Sequence, residues 1–163
     1  MARLVLTDAS PLIGLAIVDG LPWLKALFGK VWMPPEVRDE VLLGPVSRGQ
    51  AAIHSALKSG GLAVWPASAA GPELPELDEG EAACIRIALA QQRKTLVLID
   101  ERAGRSVALE QGLKVAGTAA LIGMAKQRGL IASARTAFEF LHNSDFRISA
   151  EVIRAVLTRV GEA

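Results

Sequence analysis

The sequence predicts an α/β domain: a parallel sheet of about five strands with helices on both faces. Three observations carry this. Short apolar runs recur at 4–7, 31–33, 62–65, 95–99 and 114–116, as expected of strands buried on both sides. Segments that open with proline or a small polar residue and continue with helical spacing separate these runs. Two of the runs end in aspartate, Asp8 and Asp100, where open parallel sheets bind their ligands.

Taken in order, Leu4 to Thr7 is the first strand, followed by Asp8. Ser10 as cap and Pro11 in the first turn open a helix through Ile17. Val31 to Met33 is a second strand, and Pro34-Pro35 starts a helix carrying Val37, Val41 and Leu42 until Gly44-Pro45 stops it. A helix over 48–59 is broken by Gly60-Gly61, and a third strand covers 62–65. Residues 66–77 form a loop rich in Pro and Ala. A helix over 79–92 precedes the strand at 95–99, the clearest buried strand in the chain. A helix over 102–111, a short strand at 114–116 and a helix from the cap Thr118 to Gln127 follow. Two further helices, near 134–141 and 149–160, complete the chain.

At 163 residues the chain fits one domain, 1–163, in which 132–163 is a C-terminal helical extension packed on the rest. A content of 51% hydrophobic and 21% charged residues excludes a disordered chain. The longest uncharged stretch, 59–72, is interrupted by Gly and Pro and is too short for a membrane span. Asp8 interrupts the apolar N-terminus, which makes a poor secretion signal, so the expectation is an unprocessed cytoplasmic protein. A single cysteine, Cys84, forms no internal disulfide, and His54 and His142 lack zinc spacing. No glycine-rich phosphate loop is present, so a nucleotide-binding Rossmann enzyme lacks its signature. The net charge of +1 divides into −2 over 1–100 and +3 over 101–163, a weak lean toward a polyanionic partner on the C-terminal side.

Four acids stand out. Asp8 and Asp100 close apolar strands, where each serves either as a helix cap or as a site residue. Glu81 shares the apolar face of its helix with Ile85 and Ala88, since a step of about 100° per residue brings them close in azimuth. Asp78-x-x-Glu81 also fits a capping box, and the two roles are compatible. Glu40 lies near the azimuth of Val37, whereas Glu36 and Asp39 read as solvated. If Asp8, Glu40, Glu81 and Asp100 converge, their repulsion requires a cation among them. Oxygen-only ligands select a hard ion such as Mg²⁺ or Mn²⁺, which typically meets phosphate and supports water attack on phosphorus.

Together, Leu6-Thr7-Asp8-Ala9-Ser10-Pro11-Leu12-Ile13, Pro35-Glu-Val-Arg-Asp-Glu40-Val41, Asp78-Glu-Gly-Glu81-Ala82, Leu98-Ile-Asp100-Glu101-Arg102 and Gly117-Thr118 with Ala125-Lys126 and Gly129-Leu-Ile131 resemble the PIN-domain-like proteins. Within that family they are similar to a branch catalogued only as a domain of unknown function. The resemblance covers nearly the whole chain. It implies a three-layer α/β/α sandwich and a ribonuclease site dependent on Mg²⁺ or Mn²⁺. It also implies kinship with the VapC-type toxins of toxin–antitoxin pairs. By motif position, Asp8, Glu40, Glu81 and Asp100 would be the metal ligands and catalytic residues, with Thr7, Ser10, Glu101 and Thr118 in supporting places. The chain departs from the best-known members in offering Glu81 on its third acidic helix and Asp100-Glu101 at the strand end, which leaves two candidates for the fourth ligand.

The expected function is therefore hydrolysis of RNA phosphodiesters by activated water, in the toxin of a type II pair restrained by a small cognate antitoxin. The alternative is a catalytically weak or inactive relative that binds RNA or protein. A phosphatase with an aspartyl nucleophile is weaker, because Ser10 stands where such enzymes normally carry a second Asp. Arg102, Arg105, Lys126 and Arg128 are candidate RNA contacts. Trp23, Trp32 and Trp65 read as core rather than base-stacking residues, and Cys84 as a buried small hydrophobe. The stripe Val152, Ile153, Val156, Leu157 and Val160 packs on the domain, or else serves a homodimer or an antitoxin helix.

Overall fold

The computed structural model describes residues 3–43, 49–91 and 93–163. Its sheet has five strands, β1 (Leu4–Thr7), β2 (Val31–Met33), β3 (Leu62–Val64), β4 (Thr95–Leu98) and β5 (Lys114–Ala116). They lie in the order β3-β2-β1-β4-β5, and every pair is parallel. The two central strands, β1 and β4, are buried at every residue, while β3 and β5 at the edges are partly exposed. This is why the runs at 4–7 and 95–99 are apolar on both faces apart from the terminal Thr7 and Thr95: both faces of these strands are covered.

Helices α1 (Ala9–Ile17), α2 (Pro22–Phe28), α3 (Pro35–Leu42) and α4 (Gln50–Ser59) lie on the crossovers that lead from β1 to β3. Helix α5 (Glu79–Ala90) carries the chain back across the sheet to β4, and α6 (Arg102–Glu110) leads on to β5. With right-handed crossovers, this reversal of direction places α1 and α5 on opposite faces, while α3 packs against both. Helix α5 packs on β1 and β4 with α6 beside it, and α1 packs against α7 (Thr118–Gln127). Helices α8 (Ala134–Asn143) and α9 (Ala150–Arg159) lie on α7 through buried Phe138, Leu141, Val156 and Leu157. On the tail stripe only Val152 is clearly exposed, at 44%. Among the described residues no single helix is long and apolar enough to cross a membrane.

Three expectations require correction. Helix α2 was not foreseen, although Pro22 opens it and Trp23 and Leu24 are buried. Helix α1 starts at Ala9 with Asp8 in the cap position, because the Ser10 hydroxyl is drawn away to Asp100 at 2.8 Å. Likewise Gly117 holds the cap position of α7, and Thr118 is the first residue inside it, its hydroxyl donating to Asp100 at 2.8 Å. In both cases the half-buried carboxylate of Asp100 outcompetes the local capping bond. The expected stop at Gly44-Pro45, the helix start at Arg48 and the helix end at Gln92 lie outside the described residues.

The chain order reverses between β1 and β4, which makes the crevice beyond their carboxyl ends the switch point where such sheets bind ligands. Thr7 pairs with Leu98 in register, and the Asp8 N–H donates to the Leu98 carbonyl at 3.0 Å. The acids that follow these two strands therefore leave the sheet side by side.

Candidate metal centre

Asp8 leaves β1 in an extended conformation as the N-cap of α1, yet its side chain makes no capping hydrogen bond. The residue is buried, and Oδ1 has no hydrogen-bond partner. An N-cap aspartate normally satisfies the free N–H groups of the first turn. Here the carboxylate faces the crevice instead.

Its neighbours come from the start of α5. Asp78 is the N-cap, and its Oδ1 accepts from the Glu81 N–H at 2.8 Å. Glu81 Oε1 in turn accepts from the Asp78 N–H at 3.2 Å. The capping box read from the sequence is thus complete, and it uses only one oxygen of Glu81. Oε2 is buried without a partner. Asp8, Asp78 and Glu81 each place a carboxylate oxygen so that all three lie within 4.8 Å of one another. Two glycines keep this space open. A Cβ at Gly80 would stand 2.7 Å from Asp8 Oδ1, and one at Gly104 would collide with Glu81 Oε2.

The electrostatics follow from burial and crowding. Burial is the main cause that pushes the Asp8 carboxyl up to about 7, opposed by the Ala9 N–H and reinforced by the charges of Asp78, Glu81 and Glu40. Burial also raises Glu81, helped by the charges of Asp78 and Glu101, with the Asp78 N–H working the other way. Glu40 is raised by burial and by Asp78. Behind the site, burial pushes the Cys84 thiol well above its ordinary value, in keeping with the inert buried residue expected from the sequence.

Of the four acids singled out in the sequence, the structure brings Asp8 and Glu81 together. Glu40 is exposed on α3, near enough for mutual repulsion with Asp78 and Asp8 but outside the group of three. Asp100 also stands outside that group, with both oxygens engaged. Oδ1 accepts from the Thr118 N–H at 2.7 Å, and Oδ2 accepts from the hydroxyls of Ser10 and Thr118, each at 2.8 Å. Asp100 thereby joins the first turns of α1 and α7. The Thr7 hydroxyl donates to the Asp8 carbonyl at 2.9 Å. Glu101 is exposed at the start of α6, with its charge felt by Glu81.

Asp78 is the residue that sequence reasoning placed only as a cap. The capping box itself held the signal, since it fixes Asp78 beside an inward-facing Glu81. Glu36 also differs from expectation: it is half-buried, with Oε1 enclosed and unpartnered, whereas Asp39 is exposed and pairs with Arg38 at 2.9 Å. Among the expected RNA contacts, Arg102 and Arg105 line a cleft beside Asp100 and Glu101. Lys126 and Arg128 are tied to the carbonyls of Ala132 and Ala26 at the far end of α7, about 12 Å along the helix from Thr118. Trp23 is buried, and Trp32 and Trp65 are half-buried in an edge-to-face pair with centroids 5.3 Å apart.

Two buried carboxylate oxygens without partners cost free energy unless something pairs them. A donor set of carboxylate oxygens alone suits a hard divalent cation. These residues fit such an ion. No curated protein matches the chain in sequence. A family model described as a PIN domain, of the branch whose function is unknown, matches residues 4–162. With its five-stranded parallel sandwich and an acidic group at the switch point, the chain belongs to the PIN-domain family and has a nuclease fold.

Proposed function

We propose that this protein is an endoribonuclease dependent on Mg²⁺ or Mn²⁺ that hydrolyses RNA phosphodiesters with an activated water, and that it is the toxin of a type II toxin–antitoxin pair. The observation that carries the nuclease reading is the grouping of the Asp8 and Glu81 carboxylates, each with a buried oxygen that has no partner, with Asp78 at the sheet's switch point. Asp8, Asp78 and Glu81 would hold the cation, with Glu40 at the rim and Asp100 or Glu101 at the strand end as the further acids of the site. When bound, the cation supplies a lowered pKa for water and neutralises charge on the phosphate oxygens.

The chain's own residues organise the site around that chemistry. Glu81 is held by its bond to the Asp78 N–H, so its free oxygen points in one direction. Asp100 fixes the first turns of α1 and α7 through Ser10 and Thr118, and so fixes the backbone that presents Asp8. Glu40, exposed beside the group, would take a proton from the attacking water. The toxin role, a small cognate antitoxin and action on cytoplasmic RNA extend the kinship with VapC-type toxins, and a homodimer belongs to the same reading.

The test is cleavage of single-stranded RNA by the purified protein. Activity should require Mn²⁺ or Mg²⁺ and be lost in Asp8→Asn; equal cleavage in EDTA would overturn the proposal. The engagement of both Asp100 oxygens favours one second reading, a relative with weak metal binding that acts as an RNA- or protein-binding module. Under that reading titration calorimetry would show no Mn²⁺ binding, while partner binding would survive Asp8→Asn.

A further inference from the structure

Next to the acidic group lies a cleft of about 790 Å³, with a floor that includes Ser10, Asp100 and Gly117. One wall is α6, where Arg102, Arg105, Ser106 and Leu109 recur at helical spacing on one face. The other wall is the connection from α8 to α9, which contributes Phe146 and Arg147, and the start of α9, which contributes Val152. Glu101, whose charge reaches Glu81, lies at the head of α6. The cleft thus adjoins the acidic site at Asp100 and Glu101, while Asp8, Asp78 and Glu81 do not line it.

Three arginines from two separate elements border this space. Among the described residues none of the three guanidinium groups has an ion-pair or hydrogen-bond partner. Arg105 is half-buried and folded toward the floor, where a Cβ at Gly117 would lie 3.0 Å from its Nη1 and 2.7 Å from Asp100 Oδ1. Unpaired guanidinium groups, of which that of Arg105 is turned inward, suit phosphate oxygens, which they bind in a planar fork. Asp145 and Glu151 stand on the opposite rim to either side of Arg147, so a phosphate backbone is held along α6 and meets that rim at Arg147. Phe146 and the exposed side chains of Leu109 and Val152, at 58% and 44%, face the same space and offer apolar surface to unstacked bases.

We infer that this cleft is the groove for the single-stranded RNA segment adjoining the bond at the acidic group, with Arg102, Arg105 and Arg147 on its phosphates. The inference rests on the nuclease reading and adds to it the path of the substrate. Arg147, which the sequence did not single out, becomes a binding residue. Lys126 and Arg128, at the other end of α7, are left off the path.

The test is fluorescence anisotropy of a labelled 12-nucleotide single-stranded RNA with the full chain in EDTA, where binding is read without cleavage. Changing Arg102, Arg105 and Arg147 together to Gln should weaken binding about tenfold or more and reduce the slope of log K against log salt by about 2, from roughly 0.7 per phosphate contact. The charge-matched control changes Lys30, Lys58 and Lys114 to Gln; these exposed residues lie at or just before the amino ends of β2, β3 and β5, away from the cleft. Its affinity should stay within about twofold of the wild type, allowing only for the general loss of charge. Equal weakening in both triple variants, or no weakening in the arginine variant, overturns the groove. Arginine-dependent binding by a wild type that cleaves nothing with Mn²⁺ would support the groove and remove the nuclease reading. Cleavage with an unchanged KM in the arginine variant would do the reverse.

Discussion

Asp78 and Glu81 exchange two hydrogen bonds at the start of α5, and the exchange leaves one buried oxygen of Glu81, in a carboxylate grouped with that of Asp8, with no donor to meet it. A capping box usually completes a helix terminus and ends there. Here the same pair closes the helix and holds an oxygen where a cation fits. Capping and ligation are therefore separable by mutation.

Asp78→Asn keeps an acceptor oxygen for the Glu81 N–H, so stability should be almost unchanged, whereas Asp78→Ala should cost about 1 kcal/mol, or roughly 2–4 °C in Tm for a chain of this size. Both should weaken Mn²⁺ binding at least about tenfold, the equivalent of about 1.4 kcal/mol. Calorimetric titration alongside thermal melts checks this. Full Mn²⁺ affinity in Asp78→Asn would reduce Asp78 to a cap.

The Asp8 carboxyl, raised to about 7 from 3.8, makes the metal-free fold sensitive to pH. Below about pH 4 the group is protonated in both folded and unfolded chains and costs nothing. As pH rises toward 7 the unfolded chain loses this proton first, so stability falls, by on the order of 4 kcal/mol at about 1.36 kcal/mol per pKa unit. Melts of the protein in EDTA should show Tm decreasing across that interval. Asp8→Asn should flatten the decrease, and Mn²⁺ at pH 8 should reverse it in the wild type. A Tm in EDTA that rises steadily from pH 4 to 7 would contradict the burial of an unpaired carboxylate.

Gly104→Ala would drive a methyl group into Glu81 Oε2 and to within 3.0 Å of Ile99. Alanine ordinarily strengthens a helix interior by about 0.5–1 kcal/mol over glycine. The collision should outweigh that gain, with a net loss of about 1–2 kcal/mol from overpacking and weaker Mn²⁺ binding. A variant more stable than the wild type with unchanged metal affinity would show that this glycine does not guard the site.

Thr118→Val removes the hydroxyl that reaches Asp100 Oδ2 but keeps the N–H bond to Oδ1, and Ser10→Ala removes the other donor to Oδ2. Each should cost about 1–2 kcal/mol. Because the two donors share one acceptor, the double variant should cost more than the sum of the singles, since it leaves Oδ2 without a partner. Denaturant titrations of the three proteins measure the coupling. Simple additivity would mean that Asp100 finds water in their place.

Local chemistry determined most of the fold. Apolar runs on strands covered from both sides gave β1 and β4, and Pro34-Pro35, the Asp78 box and Ser149 marked helix starts because their signals act within one turn. Helix α2 escaped because its seven residues, enclosed by Gly20 and Gly29, leave little periodicity to read. The acids Asp8 and Glu81 were legible in the site, one closing a strand and the other on an inward face. Other roles depended on partners distant in sequence. Ser10 and Thr118 looked like local caps until Asp100, 90 and 18 positions away, took their hydroxyls. Asp78 joined Asp8 only because β1 and β4 lie side by side with α5 packed across them. Arg147 faces α6 only because α9 folds back on α7. The sequence by itself determined which residues would be buried, helical or acidic, since those properties follow from side-chain type and spacing. Only the tertiary structure decided which carboxylates meet and which are satisfied, because the free energy of a buried charge depends on neighbours that the chain brings in from far along its length.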